Sequence, residues 1–181
     1  MKRWLGAIII GLVVVPQAWA QKYAGDVVLS LQGGVGVAVG TFSYDYTYAP
    51  EGLAQVDFAL ADGAALGLRG GYRKFKTENN VTAEKMKISN FAVQGKYLFT
   101  PDSRLGGYGV AGWGVYWAKE DLPGVLSEPE WGGFVGAGLH WEASDRVALF
   151  LESTYNGFFA DPDGIGYFSF NFGVALGIRE Q

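Results

Sequence analysis

The segment near the end of the chain alternates bulky apolar residues with small or polar ones. Strand side chains point to opposite faces with a period of two, so this pattern predicts a β-strand with one apolar face. That face carries Phe168, Phe170, Phe172, Val174, Leu176 and Ile178. The opposite face carries Ser169, Asn171, Gly173, Ala175 and Gly177. The pattern recurs along the chain with no obvious second layer to cover it, which indicates lipid outside and a small polar lumen inside.

The same alternation divides the chain into eight predicted strands, at about 27–40, 53–61, 64–76, 85–99, 105–118, 131–143, 147–157 and 166–179. Three connections are tight: Asp62-Gly63, 101–104 and 144–146. The other four are longer, at about 41–52, 77–84, 119–130 and 158–165. Short turns that alternate strictly with long loops are typical of a membrane barrel with periplasmic turns and extracellular loops. The predicted fold class is therefore all-β, an eight-stranded antiparallel up-and-down transmembrane β-barrel.

Most strands show one consistent apolar face, but the fifth is ambiguous. Tyr108 and Val110 have even parity, whereas Trp113, Val115 and Trp117 have odd parity. Glycine within a strand often marks a bulge, so a bulge near Gly112 is predicted to reconcile the two runs.

The inward faces are predicted to hold a polar network. Its members are Asp57, Arg69, Arg73, Gln94, Lys96, His140, Glu142 and Glu152. Side chains nearly fill the interior of an eight-stranded barrel, and charges buried there must be paired. The interpretation is a structural network that plugs the lumen. A narrow pore or a small-ligand pocket is the alternative.

Aromatic residues fall near both ends of the predicted strands, as the two interfacial belts of a membrane barrel do. The predicted girdle consists of Tyr97, Phe99, Trp113, Trp117, Trp131, Trp141, Tyr155 and Tyr167. The first long loop also alternates over 42–48 and is interpreted as a continuation of this girdle. The alternative is a hairpin that extends above the membrane and pairs with a foreign chain.

The N-terminus reads as a leader. Lys2 and Arg3 precede an apolar run from Leu5 to Val15, and Ala18-Trp19-Ala20 has the form of a cleavage site. We therefore expect a signal peptide at residues 1–20 and a barrel domain at 21–181, in the cell outer membrane. The mature chain then has 12 basic and 18 acidic residues, a net charge of −6, with no basic run for nucleic acid. With no cysteine in the chain, a disulfide framework is excluded, and no cofactor or metal site is predicted.

Three glycine-rich stretches carry a family resemblance: Gly106–Gly114, Gly136-Ala137-Gly138-Leu139 and Phe170–Gly177. On these residues the chain resembles the small eight-stranded outer-membrane β-barrel family, OmpA-like and OmpX-like. The resemblance implies a monomer whose partners are outer-membrane lipid, lipopolysaccharide and the outer-membrane assembly machinery. Family members commonly end the last strand with an aromatic residue, whereas Glu180 occupies that place here. This departure concerns assembly efficiency rather than fold.

The expected function is an integral outer-membrane barrel with a structural or surface-interaction role, adhesion-like, through extracellular loops and an extracellular partner. The second hypothesis is a small channel or a binder of an amphipathic ligand. The third is a lipid-modifying enzyme. Catalysis is not expected, because His140 is the only histidine and no hydroxyl shares its face within a His-x-Ser pair. A soluble lipocalin-type barrel would instead turn the apolar faces inward.

Overall fold

The computed structural model describes residues 25–77, 85–101, 103–120, 128–144, 146–159 and 164–178. These residues form one closed antiparallel barrel in which each strand pairs with its sequence neighbours and the last strand pairs with the first. The strands are β1 Val27–Val39, β2 Tyr48–Ala61, β3 Ala64–Lys76, β4 Lys85–Leu98, β5 Leu105–Glu120, β6 Pro129–Ser144, β7 Val147–Phe158 and β8 Ile165–Ile178. The predicted fold is confirmed in strand number, order and direction.

The two ends of the barrel differ in their connections. Tight turns join β2 to β3 and β6 to β7, and a short connection joins β4 to β5; we call this the short-turn end. Gly63 in the first turn has φ of 78°, a conformation that glycine adopts at low cost. The other end, between β1 and β2, β3 and β4, β5 and β6, and β7 and β8, is the long-loop end. The barrel closes along β1 and β8, with Val27 opposite Ile178 and Val39 opposite Gly166.

The apolar faces of the strands point away from the lumen. In β8, buried and exposed positions alternate: Phe170 and Phe172 are exposed, whereas Ser169 and Asn171 are buried. Bulky apolar side chains at outward positions of the other strands are likewise exposed, for example Leu31, Phe91 and Trp131. Because the barrel is closed by hydrogen bonds, it has no free sheet edge. Its apolar outer face is suited to contact with lipid rather than with a second layer of protein. A lipocalin-type arrangement, with the apolar set inside, is therefore excluded.

Strand β5 differs from its prediction because it has no bulge at Gly112. Its pairing runs without a shift from Tyr108 to Glu120 against β4, and equally regularly against β6. Tyr108 and Val110 therefore point into the lumen, where both are buried. The described register shifts lie instead at Ala59/Ala61 and at Glu142/Ser144, next to the tight turns.

The first long loop also differs from its prediction. Strand β2 begins at Tyr48, five residues before the predicted start, and residues Gly40–Tyr44 form a 3-10 turn. Phe42 and Tyr46 are buried, and the Phe42 ring contacts Phe75 edge-on at a centroid distance of 4.9 Å. The loop thus folds into the barrel mouth rather than extending as a hairpin. The apolar rings of Phe42 and Tyr46 leave water by packing there.

Two expectations lie outside the described residues: the signal peptide at 1–20 and Glu180 at the end of the last strand. Among the described residues, no helix is long and apolar enough to cross a membrane.

Candidate functional site: the barrel lumen

The lumen contains three layers of side chains. An apolar cluster fills the short-turn end, formed by Val28, Ala92, Leu98, Tyr108, Val110, Phe134, Ala148, Phe150 and Ala175. A second apolar cluster fills the long-loop end, formed by Ala38, Phe42, Tyr46, Ala49, Phe75, Met86, Ile88, Tyr116, Phe158 and Tyr167. Charged and amide side chains occupy the space between them and are buried. Alternation along each strand brings these inward residues together, since every second position faces the lumen.

One ion pair crosses the barrel. Arg69 on β3 donates from Nη1 to Glu152 Oε1 on β7 at 2.8 Å, and β3 and β7 lie on opposite sides of an eight-stranded barrel. The Tyr108 hydroxyl donates to the other oxygen, Glu152 Oε2, at 3.0 Å. The guanidinium of Arg69 also lies 4.5 Å from the centroid of the Phe134 ring. Side chains from β3 and β5 therefore meet at a carboxylate on β7, and a ring from β6 contacts the guanidinium of Arg69.

A second ion pair lies nearer the long-loop end. Arg73 Nε is 3.0 Å from Glu51 Oε2, and the two residues are direct cross-strand partners on β3 and β2. Arg73 also donates to Asn90 Oδ1 at 3.0 Å and to the Tyr167 hydroxyl. The Ser169 hydroxyl donates to Glu51 Oε2 at 3.1 Å. These contacts tie β2, β3, β4 and β8 together just below the apolar cluster of the mouth.

The third ion pair joins Lys96 on β4 to Asp57 on β2. Lys96 Nζ lies 2.9 Å from Asp57 Oδ2, and the Gln94 amide donates to Asp57 Oδ1 at 2.7 Å. The same Gln94 nitrogen donates to Gln55 Oε1 at 2.9 Å. Both carboxylate oxygens of Asp57 are thus occupied. A buried carboxylate needs this compensation, because an unpaired charge in the interior costs several kcal/mol.

All eight residues predicted for the polar network face the lumen and are buried. Six of them form the ion pairs and the hydrogen bonds described above, namely Arg69 with Glu152, Lys96 and Gln94 with Asp57, and Arg73 with Glu51. Sequence reasoning missed Glu51, because the segment that contains it was assigned to a loop. It also missed the hydroxyl groups of Tyr108 and Tyr167. Glu51 lies six residues before Asp57 and therefore shares its parity. Extending the alternation of β2 back to Glu51 would have predicted that Glu51 faces the lumen.

His140 and Glu142 lie beside a small cavity at the short-turn end rather than within the three ion pairs. The cavity has a volume of about 40 Å³, and its lining includes Ser30, Lys96 and Tyr108. Among the described residues, neither ring nitrogen of His140 forms a hydrogen bond with another side chain, and the same holds for the Ser30 hydroxyl. A cavity of this size, in which a few polar groups face a mostly apolar lining, has room for about one water molecule.

Seven of the eight predicted girdle residues lie at outward positions of the barrel wall: Tyr97, Phe99, Trp113, Trp117, Trp131, Trp141 and Tyr155. Tyr167 was wrongly assigned to this girdle. It shares parity with Ser169 and Asn171, is fully buried, and contacts Arg73. Its position near a long loop suggested a girdle, but the strand period decides which way the ring points.

The described residues contain no group of three or more histidine, aspartate or glutamate side chains arranged to hold a metal ion.

Comparisons with known proteins concern the fold. Neither family models nor curated protein sequences match the chain. Among solved structures, Neisserial surface protein A superimposes with a TM-score of 0.66 at 17% identity, covering 84% of this chain and 96% of that one. The N-terminal barrel domain of OprF from Pseudomonas aeruginosa gives a TM-score of 0.56 at 14% identity, covering 83% and 97%.

Ail, the attachment invasion locus protein of Yersinia pestis, is also similar. Its complex with the heparin analogue sucrose octasulfate gives a TM-score of 0.53 at 14% identity, covering 85% of this chain and 99% of that one. The resemblance predicted from the sequence is thus confirmed at the level of fold. The chain has the fold of the small eight-stranded outer-membrane β-barrels.

Proposed function

We propose that the chain is a monomeric integral outer-membrane β-barrel with a closed lumen and a structural or surface-interaction role at its long-loop end. The observation that carries this proposal is the filling of the lumen at three levels. Two apolar clusters close the ends, and three ion pairs, Arg69–Glu152, Arg73–Glu51 and Lys96–Asp57, occupy the middle. Transport through such an interior would require breaking buried ion pairs, which costs several kcal/mol each.

The outer surface supports the membrane location. Its apolar band is bordered by exposed aromatic residues towards both ends, such as Tyr97 and Phe99 at one end and Trp113 and Trp131 at the other. Short turns lie on the periplasmic side of such barrels and long loops on the extracellular side. The proposed partners are therefore the surrounding lipid, including lipopolysaccharide, the assembly machinery during insertion, and an extracellular partner bound at the loops. Similarity to a surface protein and to an attachment protein supports the last of these.

Reconstitution tests the closed lumen. The refolded barrel is first checked for heat-modifiable gel mobility and then added to planar phospholipid bilayers. We expect the mobility shift and no steady conductance. A steady conductance would refute the closed lumen, and recovery of the protein in the soluble periplasmic fraction would refute the membrane location.

A second candidate function rests on unpaired polar groups along β1 and β8. The side chains of Ser30, Gln32 and Asn171 are buried on this wall, and they have no hydrogen-bond partner in the part of the chain that the structure describes. Ordered water is the usual partner of such groups. A thin file of water along this wall would make the barrel a narrow conductor of protons, and the same bilayer experiment detects the proton current. Because no hydroxyl or carboxylate is hydrogen-bonded to His140 among the described residues, we propose no enzymatic activity.

A further inference from the structure

The chain contains a single histidine, and it lies in the lumen near the short-turn end. His140 is an inward residue of β6, with 8% of its surface exposed. Its ring occupies the space beside Gly106 on β5, where a Cβ atom would fall 2.5 Å from His140 Cε1. The centroid of the Tyr108 ring is 6.4 Å from that of His140. Any imidazole titration of this protein therefore belongs to one buried position.

The cavity beside His140 has a mostly apolar lining. Its volume is about 40 Å³, and its apolar lining residues are Val28, Leu98, Ala148, Phe150 and Ala175. Ser30 also lines it, is 3% exposed, and its hydroxyl has no hydrogen-bond partner in the part of the chain that the structure describes. Within that same part, neither ring nitrogen of His140 bonds to another side chain. Two buried polar side chains, Ser30 and His140, thus share a space with room for about one water molecule.

The ammonium group of Lys96 lines the same cavity from β4. Its Nζ lies 2.9 Å from Asp57 Oδ2 and 5.2 Å from the centroid of the Tyr108 ring. A proton on His140 would add a second positive charge to this space, and like charges repel strongly where water is excluded. Burying an imidazolium among apolar side chains carries a further cost, because the ion loses its hydration.

The other groups around the imidazole offset this cost only in part. Glu142 lines the cavity from β6, and its carboxylate would attract an imidazolium. The phenol of Tyr108 on β5 donates to Glu152. The connection between β4 and β5 approaches with the hydroxyl of Thr100, 2.6 Å from where a Cβ atom of Gly106 would lie. The lining residues of β1, β7 and β8 carry no titratable group: Val28, Ser30, Ala148, Phe150 and Ala175. One lining carboxylate thus stands against an ammonium group and an apolar lining.

These contacts favour a neutral imidazole while the short-turn end is closed. If that end opens, the imidazole reaches water and binds a proton with an ordinary pKa of about 6.5. A proton that is bound only in the open arrangement shifts the equilibrium towards it as the pH falls. Lys96 lines the cavity and is paired with Asp57, so opening would disturb that ion pair as well.

We propose that His140 makes the closure of the short-turn end sensitive to pH, so that acid opens the cavity to solvent while the long-loop end stays closed. The proposal rests on the closed lumen proposed above and adds a condition under which one end loosens. The members of the apolar cluster at the long-loop end do not titrate in the range of an imidazole. The response to acid is therefore confined to the end that holds His140.

The test measures access to the cavity with a cysteine reporter, since the chain has no cysteine of its own. Ser30→Cys is introduced into the full-length barrel, refolded in phosphatidylcholine vesicles, and labelled with the small neutral reagent methyl methanethiosulfonate at pH 7.5 and pH 5.5. The same reporter in a His140→Gln background cancels the pH dependence of the thiol and of the reagent. His140→Asn is the second variant that removes the imidazole, and heat-modifiable gel mobility confirms that each protein is folded.

The control reporter is Ser169→Cys, a fully buried inward position nearer the long-loop end. Lowering the pH from 7.5 to 5.5 should raise the labelling rate of Ser30→Cys about tenfold more in the protein with His140 than in the His140→Gln background. This factor follows for one proton that binds only the open arrangement with a pKa of about 6.5. The labelling rate of Ser169→Cys should not depend on His140.

Three results would overturn the proposal. Equal pH responses with and without His140 would mean that the closure does not sense this proton. Slower labelling in acid when His140 is present would mean that attraction to Glu142 outweighs burial and Lys96. A His140-dependent acceleration at Ser169→Cys as well would mean that the whole barrel opens. A steady conductance of the wild type at pH 7.5 would instead refute the closed lumen itself, so the two failures are distinguishable.

Discussion

Replacing Arg69 by methionine tests whether the lumen network stabilises the barrel. The change removes a guanidinium that lies 2.8 Å from Glu152, in a pair whose side chains are 2% and 0% exposed. Methionine keeps much of the volume, so the principal loss is the counter-charge rather than packing. Breaking a buried pair in this way leaves an uncompensated carboxylate and costs about 3–5 kcal/mol. The hydrogen bond that remains from Tyr108 to Glu152 keeps the expected loss near the lower end of that range.

The assay is equilibrium unfolding in urea of the barrel reconstituted in phosphatidylcholine vesicles, followed by tryptophan fluorescence. The free energy of unfolding should fall by about 3 kcal/mol in Arg69→Met with little change in the urea dependence. The double variant Arg69→Met/Glu152→Gln should recover most of this loss, because it no longer buries a lone charge. Arg146→Met, at an exposed turn, should change stability by no more than about 0.5 kcal/mol.

Two outcomes would refute the reasoning about Arg69. A single variant as stable as the wild type would mean that water or a rearranged cation compensates Glu152. A double variant no more stable than the single one would mean that the loss comes from the contact of Arg69 with the Phe134 ring. In either case the ion pair would not be what holds β3 to β7.

Two further changes test the orientation and spacing of the strands in the same unfolding assay. Tyr108→Phe should lower stability by about 1.5–3 kcal/mol, because it removes a hydrogen bond to the charged Glu152; no effect would mean that Tyr108 faces lipid. Gly114→Ala should prevent refolding, as judged by gel mobility, because its Cβ would collide with the carbonyl oxygen of Phe91. The matched Gly95→Ala should fold normally, since nothing lies within 4 Å of its Cβ, and equal folding of both would contradict the close approach at Gly114.

The barrel could be predicted from the sequence because a single physical rule governs its strands. Lipid on one side and a filled lumen on the other force the period-two pattern, and seven of the eight strands show it plainly. The sequence of β5 led to the wrong prediction of a bulge because Tyr108 and Val110 are as bulky as lipid-facing residues. Tyr108 faces inward nevertheless, since its hydroxyl reaches Glu152 across the lumen. Residue size alone does not distinguish the two faces where an aromatic side chain has a polar group to satisfy.

Contacts between strands could not be predicted, because they depend on register. Parity predicts that Arg69 and Glu152 both face the lumen, but it does not predict that they lie opposite each other. Strand order alone does not give the position of each residue along the barrel axis. The side-by-side placement of Lys87 and Lys119 could not be predicted for the same reason. Lys87 and Lys119 are 32 residues apart in sequence and become neighbours only when β4 and β5 pair in their observed register.

The inward and outward faces of the barrel wall differ in how they treat charged side chains. In the lumen, each of the three basic residues is paired with a carboxylate, so their fields largely cancel outside the wall. On the outer face, the residues at outward positions of the described strands are mostly apolar, and they contact lipid rather than one another. Closure of the lumen and contact with lipid are therefore separate properties, carried by different residues on opposite sides of the same strands. Arg69→Met should accordingly lower the free energy of unfolding without changing the apolar surface that faces lipid.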